Sequence, residues 1–170
     1  TDRLFWWEQL SSLLRATKQR RLQLKAAAPA LASALQSPGV LKIDETSSRV
    51  RAHKILVRGL LRCSQQDIHN HLTAFSEELK VKLPTEGRDS PLMDWRELKD
   101  LSHQGFEIGG HTATHYNLGK ASSEDLDREV VRSVAKIEGN LGERVSTFAY
   151  PYGSAEHQSE AAQSAISKAG

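Results

Sequence analysis

The chain has 170 residues, of which 38% are hydrophobic and 26% are charged, an ordinary composition for one soluble domain. It contains no run of about 18 apolar residues, which excludes a membrane-spanning helix, and its single cysteine, Cys63, excludes a disulfide framework within the chain. The net charge of +2 is uneven, because residues 1–62 hold 12 Lys and Arg against 4 Asp and Glu (+8), whereas residues 63–170 hold 11 against 17 (−6).

Residues 1–90 are predicted to be mainly helical. Three segments place apolar residues at the spacing of one helix face. They are residues 4–14 (Trp6, Leu10, Leu13 and Leu14), 50–61 (Val50, Val57 and Leu61, with Ile55, Leu56 and Leu60 widening the stripe) and 65–80 (Ile68, Leu72, Phe75 and Leu79). Residues 41–43 predict a short edge strand. His69 and His71 flank the apolar face of the third segment, so we interpret both as surface residues.

A basic segment, residues 18–25, includes Lys18, Arg20, Arg21 and Lys25. No interleaved aromatic side chains and no nucleic-acid recognition fold accompany it, so nucleic-acid binding is not expected. The simplest interpretation is the solvated face of a helix. Binding of an anionic glycan or of a membrane surface is the alternative.

Strands and helices alternate in the C-terminal half. Asp94 predicts the start of a helix that ends near Gln104, because Glu97 completes a capping box. Residues 106–110 and 145–150 predict two strands joined by a helix, whose predicted apolar stripe is Leu126, Val130, Val134, Ile137 and Leu141. Such a connection makes the two strands parallel, so their C-terminal ends lie at the same edge.

Two histidines, His111 and His115, follow the first of these strands. Neutral imidazole is the commonest protein ligand of zinc, and a catalytic zinc usually has three protein ligands. A helical metalloprotease arrangement does not apply, since no Glu follows His111 and Gly109 and Gly110 disfavour a helix start. The spacing alone is weak evidence, because histidines are also ordinary loop residues, but it makes the pair a candidate half of a divalent metal site.

The second strand ends in a turn, Tyr150-Pro151-Tyr152-Gly153. Because the two strands are predicted to be parallel, this turn is expected beside the histidine loop. One interpretation of the two tyrosines is packing at the end of the strand.

Three segments between residues 92 and 155 resemble, in order and spacing, the polysaccharide deacetylases of carbohydrate esterase family 4, also called the NodB-homology domain. They are MDWREL at residues 93–98, GFEIGGHTATH at residues 105–115 and FAYPYG at residues 148–153. The resemblance implies an α/β fold with a partial (β/α) barrel in residues 91–170. Residues 1–90 then form a mainly helical insertion.

The resemblance also implies a function, the metal-dependent hydrolysis of N-acetyl (or O-acetyl) groups on a polysaccharide. It implies that His111 and His115 bind Zn²⁺ or another divalent metal. It assigns a catalytic role to Tyr152, whose backbone N–H would face the developing oxyanion. Tyr150, Pro151, Tyr152 and Gly153 would line the groove for the acetylated polysaccharide. The family favours the cell envelope or the extracellular space.

Three departures from the family pattern modify this expectation. The Thr-Phe-Asp-Asp-Gly-like segment, which supplies the general base and third metal ligand, has no counterpart, and His157 is not at the position of the family's late histidine. Ala149 stands where many members carry Arg. We therefore expect an internal piece of a longer parent chain, inactive by itself. The alternatives are a non-catalytic glycan-binding or scaffolding module of the same fold, and a helical module that binds an anionic polymer through residues 15–25.

Overall fold

The computed structural model describes residues 4–36, 39–87 and 92–170. The chain divides into two compact units, Thr1–Pro91 and Leu92–Gly170. None of the described helices combines the length and the apolar character that crossing a bilayer requires.

The N-terminal unit contains five helices and one pair of short strands among its described residues. The helices are α1 (Trp6–Ala16), α2 (Leu24–Ala27), α3 (Pro29–Ala34), α4 (Thr46–Leu60) and α5 (Gln65–Leu79). Strands β1 (Arg21–Leu22) and β2 (Leu41–Lys42) are antiparallel, and Leu22 faces Leu41. The helices and the edge strand predicted from the sequence are thus confirmed.

The core of this unit lies where α1 packs against α4 and α5. Leu10 and Leu13 of α1, Leu56 of α4 and Phe75 of α5 are fully buried. Burial of such large apolar side chains stabilises a helical unit more than helix propensity does. For α1 and α5 the apolar spacing identified the side chains that form this core, whereas on α4 the predicted stripe is wrong at Val50, which is 50% exposed.

The predicted helix face over residues 18–25 is wrong for most of the segment. Helix α1 ends at Ala16, and the buried hydroxyl of Thr17 donates to the carbonyl oxygen of Leu79 at 2.8 Å. Arg21 is exposed and Leu22 is buried on strand β1, and only Leu24 and Lys25 are helical, at the start of α2. The basic side chains are exposed to solvent, but Arg21 lies on β1 rather than on a helix.

The C-terminal unit is also mainly helical in its described residues. Its helices are α6 (Trp95–His103), α7 (Ser123–Leu126), α8 (Arg132–Leu141) and α9 (Glu160–Ala169). A π-helical segment, Asp127–Val131, joins α7 to α8, and Leu118–Lys120 and Ala155–His157 form 3₁₀ turns. The predicted capping box of Asp94 and Glu97 is present at the start of α6.

The two predicted strands of this unit do not form ladders. They meet in one parallel bridge, where Gly110 N–H donates to the Thr147 carbonyl and Ala149 N–H donates to the Gly110 carbonyl, both at 2.9 Å. The predicted parallel direction is thus confirmed, whereas the predicted strand lengths are wrong. An isolated pair of strands gains little stability without further strands beside it, and the partial (β/α) barrel stays a prediction.

A second apolar cluster holds the C-terminal unit together. Leu126 and Val130 are buried against Leu118 and against Ala162 of α9. Both positions belong to the apolar face predicted from the sequence. The turn of the π-helical segment is one residue longer than an α-helical turn. Its Arg132 N–H donates to the carbonyl of Asp127, five residues earlier rather than four.

Candidate metal centre

The histidine loop begins at Gly110, where the chain comes closest to its parallel neighbour. A Cβ atom on Gly110 would lie 2.5 Å from Cδ2 of Phe148 and 3.2 Å from Cγ2 of Val134. A side chain at this position would push the two segments apart. Because Gly110 has no side chain, the histidine loop can begin in direct contact with the segment around Phe148 and Ala149.

His111 and His115 face each other across this loop. Their ring centroids are 4.8 Å apart and their planes make an angle of 78°. Two residues of the loop have left-handed backbones, Thr112 with φ 67° and His115 with φ 58°. This conformation is unfavourable for residues other than glycine, above all for a β-branched one, so contacts around the loop must maintain it.

The backbone of the neighbouring segment fixes the tautomer of His111. Its Nδ1 lies 2.9 Å from the carbonyl oxygen of Ala149. A carbonyl oxygen only accepts, so Nδ1 carries the proton and the lone pair is on Nε2. A hydrogen bond of this kind is the usual outer contact of a histidine that binds a metal.

Tyr152 has the corresponding contact with His115. Its hydroxyl oxygen lies 3.2 Å from Nδ1 of His115, and the hydroxyl donates to the carbonyl oxygen of the same residue at 3.3 Å. The Tyr152 hydroxyl thus contacts both the ring and the backbone of His115, and on the ring it lies beside Nδ1. Burial lowers the pKa of His115, and the neighbouring His111 lowers it further, so the neutral form that binds metals is favoured.

The turn residues predicted to line a groove differ in their surroundings. The Tyr152 ring packs edge-on against His115, with centroids 5.0 Å apart, and tilted against His157. The Tyr150 ring instead contacts Phe148 in the apolar cluster, where burial raises its pKa. Pro151 is half-buried and Gly153 is exposed. The structure thus brings Tyr152 to the histidines and places Tyr150 at the end of the strand.

Glu129, in the π-helical segment, is a site residue that the sequence analysis missed. Its side chain is fully buried, and its two carboxylate oxygens accept from the N–H and the hydroxyl of Thr114 at 2.8 and 2.9 Å. One sequence signal was available, because a charged residue stands directly before Val130 in the apolar stripe. Its partner lies on another segment, so the pairing itself was not predictable from helical spacing.

The histidine pair fits half of a metal site. Imidazole side chains are suitable ligands for Zn²⁺ and for other divalent transition metals, and two of them face each other here. Among residues 4–36, 39–87 and 92–170, no group of three or more His, Cys, Asp or Glu side chains is arranged to hold a metal ion. His157, the nearest further histidine to Tyr152, is engaged through Nδ1 with the Ser154 hydroxyl at 2.7 Å.

Comparison with known proteins identifies a family for more than half of the chain. A family model described as polysaccharide deacetylase matches residues 60–170. The matched region includes α5 of the N-terminal unit and the whole of the C-terminal unit, with both histidines and the tyrosine turn. Searches of curated proteins and of solved structures gave no significant match.

Proposed function

The chain belongs to the polysaccharide deacetylase family, and from this membership we propose that it serves the metal-dependent hydrolysis of N-acetyl or O-acetyl groups on a polysaccharide. The main supporting observation is that His111 and His115 face each other with Nδ1 engaged on both rings. This arrangement places the two imidazole rings close together, with that of His115 against Tyr152 of the tyrosine turn. A location in the cell envelope or outside the cell, where such polysaccharides occur, is part of the proposal.

His111 and His115 would hold Zn²⁺ or another divalent metal through Nε2. When bound, such a metal supplies Lewis acidity toward an acyl carbonyl and toward a water molecule. The chain orients the two ligands through the Ala149 carbonyl and the Tyr152 hydroxyl. Contacts of this kind fix ring direction and typically change metal affinity about 10–100-fold when they are removed.

The tyrosine turn would bind the acetylated substrate. Its proximity to the histidines follows from the contact between the Tyr152 hydroxyl and His115. In the proposed role the backbone N–H of Tyr152 donates to the acyl oxygen as negative charge develops there, and Pro151 and Gly153 line the groove. One such donor is typically worth about 10²–10³ in turnover rate.

The C-terminal unit would contribute part of a (β/α) barrel, with residues 1–90 as a mainly helical insertion. The parallel bridge between Gly110 and Phe148 supports this proposal. So does α6, which buries none of its residues and carries the partly exposed Trp95. Phe106, just before the bridge, is 60% exposed. Further barrel strands would cover these apolar surfaces.

Zinc titration by calorimetry tests the proposed site. We expect the chain to bind zinc, and we expect binding to be lost in His111→Ala and in His115→Ala. His69→Ala is the matched control, because His69 is an exposed histidine of α5 and its removal should leave zinc binding unchanged. A wild-type chain that binds no zinc would contradict the metal-binding role.

A non-catalytic glycan-binding module of the same fold is the second candidate. It is favoured by the finding that the described residues place no third metal ligand beside the two histidines. Fully N-acetylated chito-oligosaccharides distinguish the two functions. Because the chain is expected to be inactive by itself, binding and not turnover separates the two. Binding that requires zinc and His115 supports the deacetylase, whereas binding that persists in a chelator supports the glycan-binding module.

A further inference from the structure

The π-helical segment between α7 and α8 buries a charged residue. Glu129 and Val130 are neighbours in sequence, yet both are 0% exposed. In an α-helix neighbouring residues point about 100° apart, so a narrow buried face rarely includes both. The wider turn of the π-helical segment accommodates Glu129 inside the unit, and such interruptions occur frequently at functional sites.

Glu129 makes three hydrogen bonds to the two residues that stand just before His115. The carboxylate accepts from the Thr114 N–H and hydroxyl, at 2.8 and 2.9 Å, and the Glu129 carbonyl accepts from Ala113 N–H at 3.1 Å. Arg128 adds a charged contact, with Nε 3.4 Å from Oε1. The segment between the two histidines is thus attached to the π-helical segment through backbone and side chain together.

These bonds act on the strained part of the loop. The left-handed residues Thr112 and His115 flank Ala113 and Thr114, and such backbones persist only where surrounding contacts determine them. Burying a carboxylate is costly unless it is fully hydrogen-bonded, so a loop rearrangement would also cost Glu129 the two hydrogen bonds from Thr114. The loop conformation and the buried carboxylate therefore stabilise each other.

We propose that Glu129 is a positioning residue for the histidine pair: it holds the loop in the conformation that turns His111 and His115 toward each other. The role in metal binding rests on the proposed function, whereas the role in loop conformation does not. Glu129 acts through Thr114 and Ala113, and neither of its carboxylate oxygens is assigned to the metal. The residue thus extends the site into the helix that crosses between the two predicted strands.

Four variants test this role. Glu129→Ala removes the carboxylate, Glu129→Gln keeps an acceptor for the Thr114 N–H, and Thr114→Val removes one hydrogen bond with little change of shape. Glu138→Ala is the matched control, because Glu138 of α8 also accepts from a loop N–H, that of Val145 at 3.0 Å. Zinc affinity is measured by calorimetry, and amide hydrogen exchange of Ala113 and Thr114 is measured in the metal-free chain.

We expect Glu129→Ala to speed amide exchange in the loop and to weaken zinc binding about 10–100-fold. Glu129→Gln should restore most of the affinity, since its amide oxygen accepts from the Thr114 N–H, and Thr114→Val should fall between the two. Glu138→Ala should leave both measurements unchanged. If Glu129 had only a general structural role, Glu129→Ala would lower stability, and Glu129→Gln would not restore slow amide exchange in the loop.

Two results would overturn the proposal. One is a folded Glu129→Ala chain with unchanged loop exchange. The other, which decides the matter if Glu129→Ala does not fold, is unchanged loop exchange in Thr114→Val. If the wild-type chain binds no zinc, the proposed function fails, while the exchange measurement still tests the role of Glu129 in the loop.

Discussion

At the scale of single residues, the site depends on contacts that hold each imidazole by Nδ1. For His111 the contact is a backbone carbonyl, and for His115 it is the hydroxyl of Tyr152. The Ala149 carbonyl selects the tautomer of His111 with the lone pair on Nε2, and the Tyr152 hydroxyl restrains the ring of His115. The orientation of the two rings is therefore determined by the segment around residues 149–152, about 38 residues further along the chain for His111.

Tyr152→Phe tests the hydroxyl contact. The phenylalanine ring keeps the edge-on packing against His115, but the hydrogen bonds to Nδ1 and to the carbonyl are lost. We expect zinc affinity to fall about tenfold, at the lower end for loss of an outer contact of a metal ligand. Calorimetric titration measures this.

Tyr152→Ala provides the comparison, because it removes the ring as well as the hydroxyl and should weaken binding further. Equal affinities for the wild type and Tyr152→Phe would mean that the hydroxyl does not orient His115. The role of Tyr152 would then be limited to its backbone N–H and ring packing.

The sequence predicted the site in part. The spacing of His111 and His115 after a predicted strand, with a tyrosine turn after the next, was sufficient to bring both segments together. The Glu129 contact and the Tyr152 hydroxyl contact were not predictable, because each joins residues 15 or 37 positions apart through side-chain orientation. Periodicity indicates which face of an element is buried, but not which polar group a buried carboxylate will bind.

At the scale of elements, the sequence predicted most helices correctly, but it predicted the lengths of the two C-terminal strands wrongly. The apolar face of α5 was evident from Ile68, Leu72, Phe75 and Leu79, all buried in the structure. A helix forms its hydrogen bonds within its own segment, whereas a strand needs a partner elsewhere. For Gly110 and Phe148, the described residues provide that partner at one bridge only.

Gly110→Ala tests the close approach at this bridge. The new Cβ would meet Phe148 at 2.5 Å and Val134 at 3.2 Å, so the two segments must separate. Such overpacking typically costs about 1–3 kcal/mol. Urea unfolding monitored by circular dichroism measures the change.

Gly139→Ala is the matched control for this substitution. Gly139 lies in α8, and a Cβ there meets no atom within 4 Å, so alanine should raise stability by about 0.5–1 kcal/mol. Opposite signs for the two variants are expected. A neutral Gly110→Ala would mean that the bridge tolerates wider spacing.

The lowered pKa of Asp125, at the start of α7, predicts that the stability of the chain depends on pH. Burial acts to raise the pKa of Asp125, but hydrogen bonds from Ser122 and Arg128 outweigh it and hold the pKa below its usual range. A lowered folded-state pKa contributes stability that is present above the unfolded-state value, near pH 4, and that is lost as pH falls through the folded-state value. The difference in stability between the wild type and Asp125→Asn should therefore shrink from about pH 4 downward.

Urea unfolding of both chains at pH 7 and at pH 3 provides the measurement. Taking the difference between the two chains removes the contribution of the other carboxylates, which titrate in both. An equal difference at the two pH values would show that Asp125 stabilises α7 without depending on its charge.

At the scale of the whole molecule, the apolar core is divided between two clusters. One contains the buried faces of α1, α4 and α5, and the other contains Leu118, Leu126, Val130 and Ala162. The charge is divided as well, with +8 in residues 1–62 and −6 in residues 63–170. The sequence indicated a helical N-terminal region before the resemblance region, but it did not indicate that Arg21 and Leu22 of the basic segment would form a strand, because short strands leave little periodic signal.

Two Phe→Ala substitutions compare how much a buried and an exposed phenylalanine ring contribute to stability. Phe75 is 0% exposed in the N-terminal cluster, whereas Phe106 of the C-terminal unit is 60% exposed. Phe75→Ala should cost about 3–5 kcal/mol, since it removes a buried ring and leaves a cavity. Phe106→Ala should change stability by no more than about 0.5 kcal/mol, because its ring is already largely in water.

Thermal unfolding followed by circular dichroism compares the two variants with the wild type. A chain with two separate cores need not unfold in one step, so each transition is fitted by itself. We expect Phe75→Ala to lower the midpoint of one transition and Phe106→Ala to leave all midpoints in place. A large loss in Phe106→Ala would show that its ring is covered in solution, as further barrel strands or a second copy of the chain would cover it.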